Sequence, residues 1–404
     1  MARRAFITAF GSVALGALAM TSTVAALEAP KPEPAQKFLG AAFTGTNYTV
    51  NPVARSNGVM RIFDVETPYG KYQFDGVEFA KMRLQELKAV ANLEKVSQSE
   101  AFATAFGRTA LAPAKYGVDL VTNPVDTIGR SLGGVANMFD RLGAGAANSR
   151  ADRDTLADSL LGVSDSQREL AGELGVDPYS DFPPLAEKLK QVAGAIAGGG
   201  LPVKVGLAAI PGGVGLAVSS ASSVGSAKET LSSKTAAQVI AEVRNILRSL
   251  DIPDETVNRF VENRNYTPAD LLIMSRALAH LGAQNTAVFV ALAAEATTRN
   301  AAFYQRVDAE LLAARSTELG GIASFITVTG RVVTVTRAGN VVAAFPFDGL
   351  VWTAVPQRTF AEVTAGLPRS PGAPVFATNG EVTPMAAAEI GKLGWKVVRV
   401  KPLR

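Results

Sequence analysis

Residues 129–133, in the stretch IGRSLGG, have the spacing G-x-S-x-G with Ser131 at the centre. The small glycines of this spacing allow a tight turn that exposes a serine hydroxyl as a nucleophile. Such a serine needs a base to accept its proton, and the chain contains one histidine, His280. Ser131 and His280 are therefore the candidate catalytic residues of a serine hydrolase.

The sequence around Ser131 favours a different structure. The nucleophile elbow of the α/β-hydrolases follows a buried strand, whereas Asn123 and Pro124 have the residue types that begin a helix. Apolar residues then continue at helical spacing straight through the motif, over residues 125–142. We therefore predict an amphipathic helix at Ser131, and place His280 in the last turn of another helix.

A turn-rich connector, GVDPYSDFPPL, carries a second set of polar side chains, Asp177, Tyr179 and Asp181. Proline presets its backbone angle and aspartate hydrogen-bonds to nearby backbone, so this composition is typical of turns. Two carboxylates and an exposed phenol at alternate positions could also contact a ligand. We therefore predict turn formation here and, as the alternative, name these three residues as ligand-binding candidates.

The composition excludes several kinds of site. The chain has no cysteine and one histidine, which excludes disulfides, thiolate catalysis and multi-histidine metal sites. Its 40 Lys and Arg exceed its 36 Asp and Glu by too little, and too diffusely, to indicate nucleic-acid binding. The phosphate-binding motif G-x-x-x-x-G-K-[ST] does not occur. We predict no cofactor, no bound metal and no nucleic-acid partner.

Residues 1–26 have the features of an export signal, with an uncleaved membrane anchor as the alternative. Arg3 and Arg4 precede an uncharged run that ends with small residues up to Ala26. We predict cleavage after Ala26 and a periplasmic or secreted protein. Residues 27–38, LEAPKPEPAQKF, are rich in proline and charge, which predicts an extended tether.

Residues 198–227 are rich in glycine and contain one charged residue, Lys204. They are long enough to span a membrane, but Pro202, Pro211 and the glycines disfavour one continuous helix. We predict two short, closely packed helices that are buried in the protein. Alternatively they insert into a bilayer, resembling the hydrophobic hairpin of colicin-like pore formers. The candidates for contact with a membrane or partner are Leu207, Ile210, Val214 and Leu216.

Helix boundaries are marked by local motifs. Thr267 and Asp270, in the stretch TPAD, have the spacing of a capping box with proline at the first helical position. Gly282 stands where that helix would stop, because glycine adopts the left-handed conformation that often ends a helix.

The periodicity of apolar residues predicts an α+β fold. A β-hairpin turns at residues 68–70, and helical periodicity then extends over about residues 77–316, including one long alanine-rich helix at 283–315. We assign residues 39–318 to a mostly helical domain that opens with the hairpin. Residues 319–404 are predicted to form a small domain, a β-meander followed by a strand–helix–strand α/β unit.

Three stretches, GVDPYSDFPPL, NRNYTPADLLIMSRAL and GEVTPMAAAEIGKLGW, resemble a family of exported bacterial proteins to which no activity is assigned. The resemblance extends through most of the chain that follows the export signal. It implies export but identifies no site residue, since the family brings no known activity.

Three functional predictions follow from these observations. The first is an exported, non-enzymatic binding or cell-envelope-associated protein, based on the export signal, the lack of cysteine and the single histidine. The second is a membrane-inserting helical protein that uses residues 198–227. The third is a hydrolase that uses Ser131 or a pair of carboxylates. An envelope protein or a membrane is the partner that these predictions suggest.

Overall fold

The computed structural model describes residues 27–98, 102, 163–197 and 222–403, so the predicted export signal lies outside the described residues. Strands stand at both ends of the described chain and helices occupy most of the middle, which confirms the predicted α+β class.

The N-terminal part is an antiparallel sheet around one central strand. Strand β4 pairs with β5 along one edge, joined by the predicted turn, and with β2 and β3 along the other, while β1 pairs with β3. The predicted hairpin is thus confirmed and is enlarged by three short strands. The strands are β1 Glu33–Pro34, β2 Thr49–Val50, β3 Val53–Ser56, β4 Arg61–Thr67 and β5 Gly70–Asp75.

Residues 27–38 are packed against the folded body, so the predicted extended tether is wrong for this stretch. The backbone N–H of Glu28 donates to the carbonyl of Trp352, and the Glu28 carboxylate accepts from the backbone N–H of Trp352 at 2.8 Å. Ala35 and Leu39 are fully or almost fully buried. Tertiary partners distant in sequence therefore order a segment whose composition is typical of a linker.

The helices begin at the positions that their capping residues mark. Thr267 and Asp270 form the predicted capping box, and Gly282 ends that helix in the left-handed conformation. The helices are α1 Ala35–Leu39, α2 Val77–Ser97, α3 Asp165–Leu174, α4 Pro183–Ala197, α5 Ser222–Ser233, α6 Ala236–Ser249, α7 Asp254–Val261, α8 Pro268–Leu281, α9 Thr286–Ala294 and α10 Arg299–Arg315.

The predicted single helix over residues 283–315 is wrong, because α9 and α10 are separated at residues 295–298. Asn263 donates to the carbonyls of Ala294 and Ala296 at 2.9 and 2.8 Å, so these groups have side-chain partners in place of helical ones. Thr298 then caps α10 by accepting from a backbone N–H in its first turn.

The C-terminal sheet has the order β12-β10-β8-β7-β6. Strands β6 to β8 form the predicted antiparallel meander, and β8, β10 and β12 are parallel, with β9 and β11 paired separately. Both the meander and the strand–helix–strand unit are confirmed. The elements are β6 Ile322–Val328, β7 Arg331–Thr336, β8 Val341–Phe345, β9 Gly349–Leu350, α11 Ala354–Gly366, β10 Val375–Thr378, β11 Glu381–Val382, α12 Pro384–Lys392 and β12 Lys396–Arg399.

Helices cover both faces of the C-terminal sheet. On one face Val342 and Ala344 pack in the same core as Phe289 of α9 and residues of α10. On the other face, side chains of the sheet share a core with α11, α12 and the N-terminal sheet. The parts of the chain on either side of residue 318 therefore share both hydrophobic cores, while the division into two domains stays a prediction.

The buried carboxylate of Asp348 joins the two sheets. It accepts hydrogen bonds from the backbone N–H groups of Arg61 in β4, at 2.7 Å, and of Val77, the first residue of α2, at 3.0 Å. The residue before the helix is Gly76, at φ +95°, and a Cβ there would lie 1.8 Å from the hydroxyl oxygen of Tyr304. Since no side chain fits at this cap position, Asp348 supplies the negative charge that favours a helix N-terminus.

Substitution Gly76→Ala should lower the free energy of unfolding by about 2–4 kcal/mol, because the new methyl group would displace Tyr304 and strain the backbone. Urea denaturation measures this change. Gly391→Ala in α12 is the control, since nothing lies within 4 Å of a Cβ there. A loss for Gly76→Ala no larger than that of the control would contradict the account.

Candidate functional site

Helix α10 carries charged side chains toward two different surroundings. One side packs against helices α2 and α8, and the other packs against strand β8 of the C-terminal sheet. Arg299 and Arg306 face the helices, where they form ion pairs. Asp308 faces the sheet, where it lines a small cavity. The two surroundings differ chemically. Arg299 and Arg306 form ion pairs, whereas Asp308 Oδ1 has no hydrogen-bond partner among the described residues.

Asp270 of α8 is the centre of the paired arrangement. Arg299 Nη1 lies 2.8 Å from Asp270 Oδ2, and Arg306 Nε lies 3.1 Å from Asp270 Oδ1. The same carboxylate accepts the backbone N–H of Thr267 at 3.0 Å, so it caps its own helix as well. Buried charges are costly unless they are paired, and the removal of one partner would leave the others uncompensated.

Asp181 of the connector is held by two arginines. Arg83 Nη2 donates to both carboxylate oxygens at 2.8 and 2.9 Å, and Arg299 Nε donates at 3.1 Å. The Asp181 side chain is 39% exposed, while that of Arg83 is 6% exposed. Burial alone would raise the pKa of Asp181, but the two guanidinium groups hold it below its usual range. Asp181 therefore neutralises cations that lie behind it.

Asp177, at the other end of the connector, is a half-buried acid beside the start of α8. It accepts the backbone N–H of Tyr179 at 2.8 Å and a hydrogen bond from the side chain of Thr267. Burial raises the pKa of Asp177 to about 7, and the nearby Asp270 adds to the rise. Asp177 thus exchanges its proton near neutrality.

Tyr179 is buried, which corrects the prediction that it is an exposed ligand contact. Its side chain is 3% exposed, and its hydroxyl donates to the carbonyl of Lys234 at 2.9 Å. Burial raises the pKa of Tyr179 to about 12. The connector is therefore anchored by Tyr179 and by its two aspartates, which agrees with the predicted turn formation.

The ion-pair network links α2, the connector, α8 and α10. Each of its carboxylates accepts from at least one described donor, so its geometry fits a scaffold. Its members are Arg83, Glu86, Asp177, Ser180, Asp181, Asp270, Arg299, Arg306 and Glu310.

The Asp308 cavity lies between helices α9 and α10 and the C-terminal sheet. The cavity has a volume of about 10 Å³ and is partly open to solvent. Asp308 Oδ1 is buried and has no hydrogen-bond partner among the described residues. Burial raises the pKa of Asp308 well above its ordinary value. The lining residues are Phe289, Leu292, Asp308, Leu312, Phe325, Val332, Val333, Thr334, Val342 and Ala344.

Thr334 supplies the other polar side chain of the described lining. Its hydroxyl donates to the carbonyl of Val342 at 2.8 Å, so towards the cavity its oxygen can only accept. The rings of Phe289 and Phe325 lie 5.2 Å apart and form part of the wall. The cavity therefore combines a carboxyl group, a hydroxyl oxygen and aromatic surface.

Of the remaining predicted site residues, the structure describes His280. His280 is exposed in the last turn of α8, where it was predicted. Ser131 and the apolar candidates of the glycine-rich segment lie outside the described residues; the latter are Leu207, Ile210, Val214 and Leu216. In the described ranges no helix is long and apolar enough to cross a bilayer. The same ranges hold no cluster of three or more histidine or acidic side chains suited to a metal ion.

Sequence reasoning missed Asp308, although a sign of it is visible in the stretch FYQRVDAELL. Asp308 falls one helical turn from Tyr304 and from Leu312, both of which are buried. An acid on the apolar stripe of a helix is the pattern that points to such a group. The network partners Asp270 and Arg299 carry no such sign, since each pairs with a distant residue.

Comparison with known proteins adds no relative, since no family model, curated protein or solved structure matches the chain. The resemblance to exported bacterial proteins thus stays a prediction, and the site is interpreted from its geometry.

Substitution Asp181→Ala should lower the free energy of unfolding by about 1–3 kcal/mol, because Arg83 and Arg299 lose a shared counter-ion. Sodium acetate should restore part of the loss by placing a carboxylate at the same position, as urea denaturation with and without acetate would show. Asp64→Ala is the control, since its ion pair with Arg55 is exposed on both sides. Equal responses of the two variants to acetate would contradict the structure.

The stability that Asp177 contributes should depend on pH with a known sign. Because its folded pKa is raised from 3.8 to about 7, the contribution is complete below pH 3.8 and is lost as the pH rises through 7. From about pH 5 to about pH 8 the loss amounts to about 1–3 kcal/mol. Asp177→Asn should remove this part of the pH dependence in urea denaturation. An unchanged dependence would show that Asp177 is not protonated in the folded state.

Proposed function

We propose that this chain is an exported, non-enzymatic binding protein whose ligand site is the cavity at Asp308. The observation that carries the proposal is that Asp308 lines a cavity partly open to solvent, while its buried Oδ1 has no hydrogen-bond partner among the described residues. The basic start and uncharged run of residues 1–26 support export.

An unpaired carboxyl group is costly in an apolar wall. Burial of a polar group without a hydrogen bond costs about 1–3 kcal/mol in proteins, whereas leucine or valine would fill the same position at no such cost. The neighbouring charges of α10, Arg306 and Glu310, form ion pairs. Groups that break a structural rule without compensation are concentrated at functional sites, and this supports a role in binding.

Binding fits the chemistry of the cavity better than catalysis does. The described lining holds one ionisable group, Asp308, and one hydroxyl, that of Thr334. The Thr334 hydroxyl donates to a backbone carbonyl, and the described lining offers no base to take its proton. General acid–base work requires a second positioned group, such as the paired carboxylates of glycosidases. A single acid in an apolar pocket is suited to fixing the orientation of a ligand.

The site predicts opposite effects of one substitution on stability and on binding. Asp308→Leu should raise the free energy of unfolding by about 1–3 kcal/mol, because an unpaired carboxyl is replaced by an apolar group. It should also abolish binding of small probes, for which we choose n-propylammonium, 1-propanol and propionamide. Thermal unfolding and ligand-observed NMR measure the two effects.

Asp254→Leu is the matched control, since Asp254 is an acid whose side chain is 70% exposed on α7. It should leave probe binding unchanged. A failure of the wild-type protein to bind any of the three probes would overturn the proposed function. Destabilisation by Asp308→Leu would instead assign Asp308 a structural role.

A further inference from the structure

We propose that the Asp308 cavity selects a primary ammonium group, so that the ligand is a small organic amine whose apolar part lies at the mouth of the cavity. This inference rests on the proposed function, since it names the class of ligand for the same site.

The polar atoms of the cavity call for a hydrogen-bond donor. An ionised Asp308 only accepts hydrogen bonds, and the Thr334 oxygen can only accept because its hydrogen is used on the carbonyl of Val342. A ligand that carries acceptors alone would leave both oxygens unpaired. An ammonium group presents three N–H donors and no acceptor, which matches this wall.

The charge of the site favours a cation over a neutral donor. No basic side chain is present in the described lining, so an ionised Asp308 has no counter-ion of its own there. A bound ammonium would supply the missing counter-ion, and charge-assisted hydrogen bonds are about twice as strong as neutral ones.

The size of the cavity limits the head group. An enclosed volume of about 10 Å³ is close to the minimum that admits one water molecule. A primary ammonium group is of similar size, whereas a trimethylated ammonium is several times larger. Leu292 and Val332 line the cavity and are partly exposed, so they can contact the alkyl or aryl group of a ligand whose ammonium head lies in the cavity.

Binding of an ammonium group must displace the proton of Asp308. The helix α9 contains no ionisable residue, and neither do strands β6 and β8. Arg331 of β7 pairs with Glu362, and Arg306 of α10 pairs with Asp270 and Glu310. The protein therefore supplies no nearby free cation in its described part. Because burial raises the pKa of Asp308, binding of the ammonium group should be accompanied by proton release.

Isothermal titration calorimetry tests the class of ligand. The full protein is titrated at about pH 7 with n-propylammonium, 1-propanol or tetramethylammonium, in two buffers that differ in ionisation enthalpy. We expect n-propylammonium to bind at least about tenfold more tightly than 1-propanol, with proton release. Asp308→Asn should weaken n-propylammonium at least about tenfold and leave 1-propanol nearly unchanged. Asp254→Asn should change neither.

The results separate this inference from the proposed function. If 1-propanol or tetramethylammonium binds as tightly as n-propylammonium, or if no proton is released, the ammonium class is wrong while the binding site stands. If no probe binds, the site itself is wrong. Tight, proton-coupled binding that Asp308→Asn weakens and Asp254→Asn does not would support both.

Discussion

The carboxylate of Asp348 is the contact on which the arrangement of the described chain depends. It joins the C-terminal part to β4 and to the first turn of α2 through two backbone N–H groups. Burial raises its pKa to about 7, and the two hydrogen bonds oppose the rise. Tyr304 of α10 occupies the space beside Gly76, so the cap of α2 has to come from another part of the chain. The parts that Asp348 joins also share one hydrophobic core.

Helix α10 shows how one element can carry both a scaffold and a site. Its arginines pair with Asp270 and Asp181, and these pairs fix α10 against α8 and the connector. Two residues beyond Arg306, Asp308 faces the C-terminal sheet and has no partner for one of its oxygens among the described residues. The rigid pairing on one side holds the unpaired acid of the other side in place, as the proposed binding site requires.

Sequence reasoning succeeded where the determining contacts are local. The capping box of Thr267 and Asp270 closes within three residues, and the turn of the N-terminal hairpin lies between strands that are adjacent in sequence. It failed where groups distant in sequence intervene. The break before Thr298 depends on Asn263, and the packing of residues 27–38 depends on Trp352, more than three hundred residues away. Glu28 and Asp308 are both acidic residues, yet the Glu28 carboxylate accepts from Trp352 whereas Asp308 Oδ1 has no hydrogen-bond partner among the described residues.

The sequence by itself determined the class of fold, several helix ends and the kinds of chemistry that a chain without cysteine and with one histidine cannot perform. These properties follow from composition and from the spacing of apolar residues, which repeats every two residues in strands and every three to four residues in helices. Only the tertiary structure decided which acids are paired. Asp181 meets Arg83 and Arg299 across the fold, and Tyr179 turns inward. The free energy of a buried charge depends on neighbours that folding brings together, and linear spacing does not specify them.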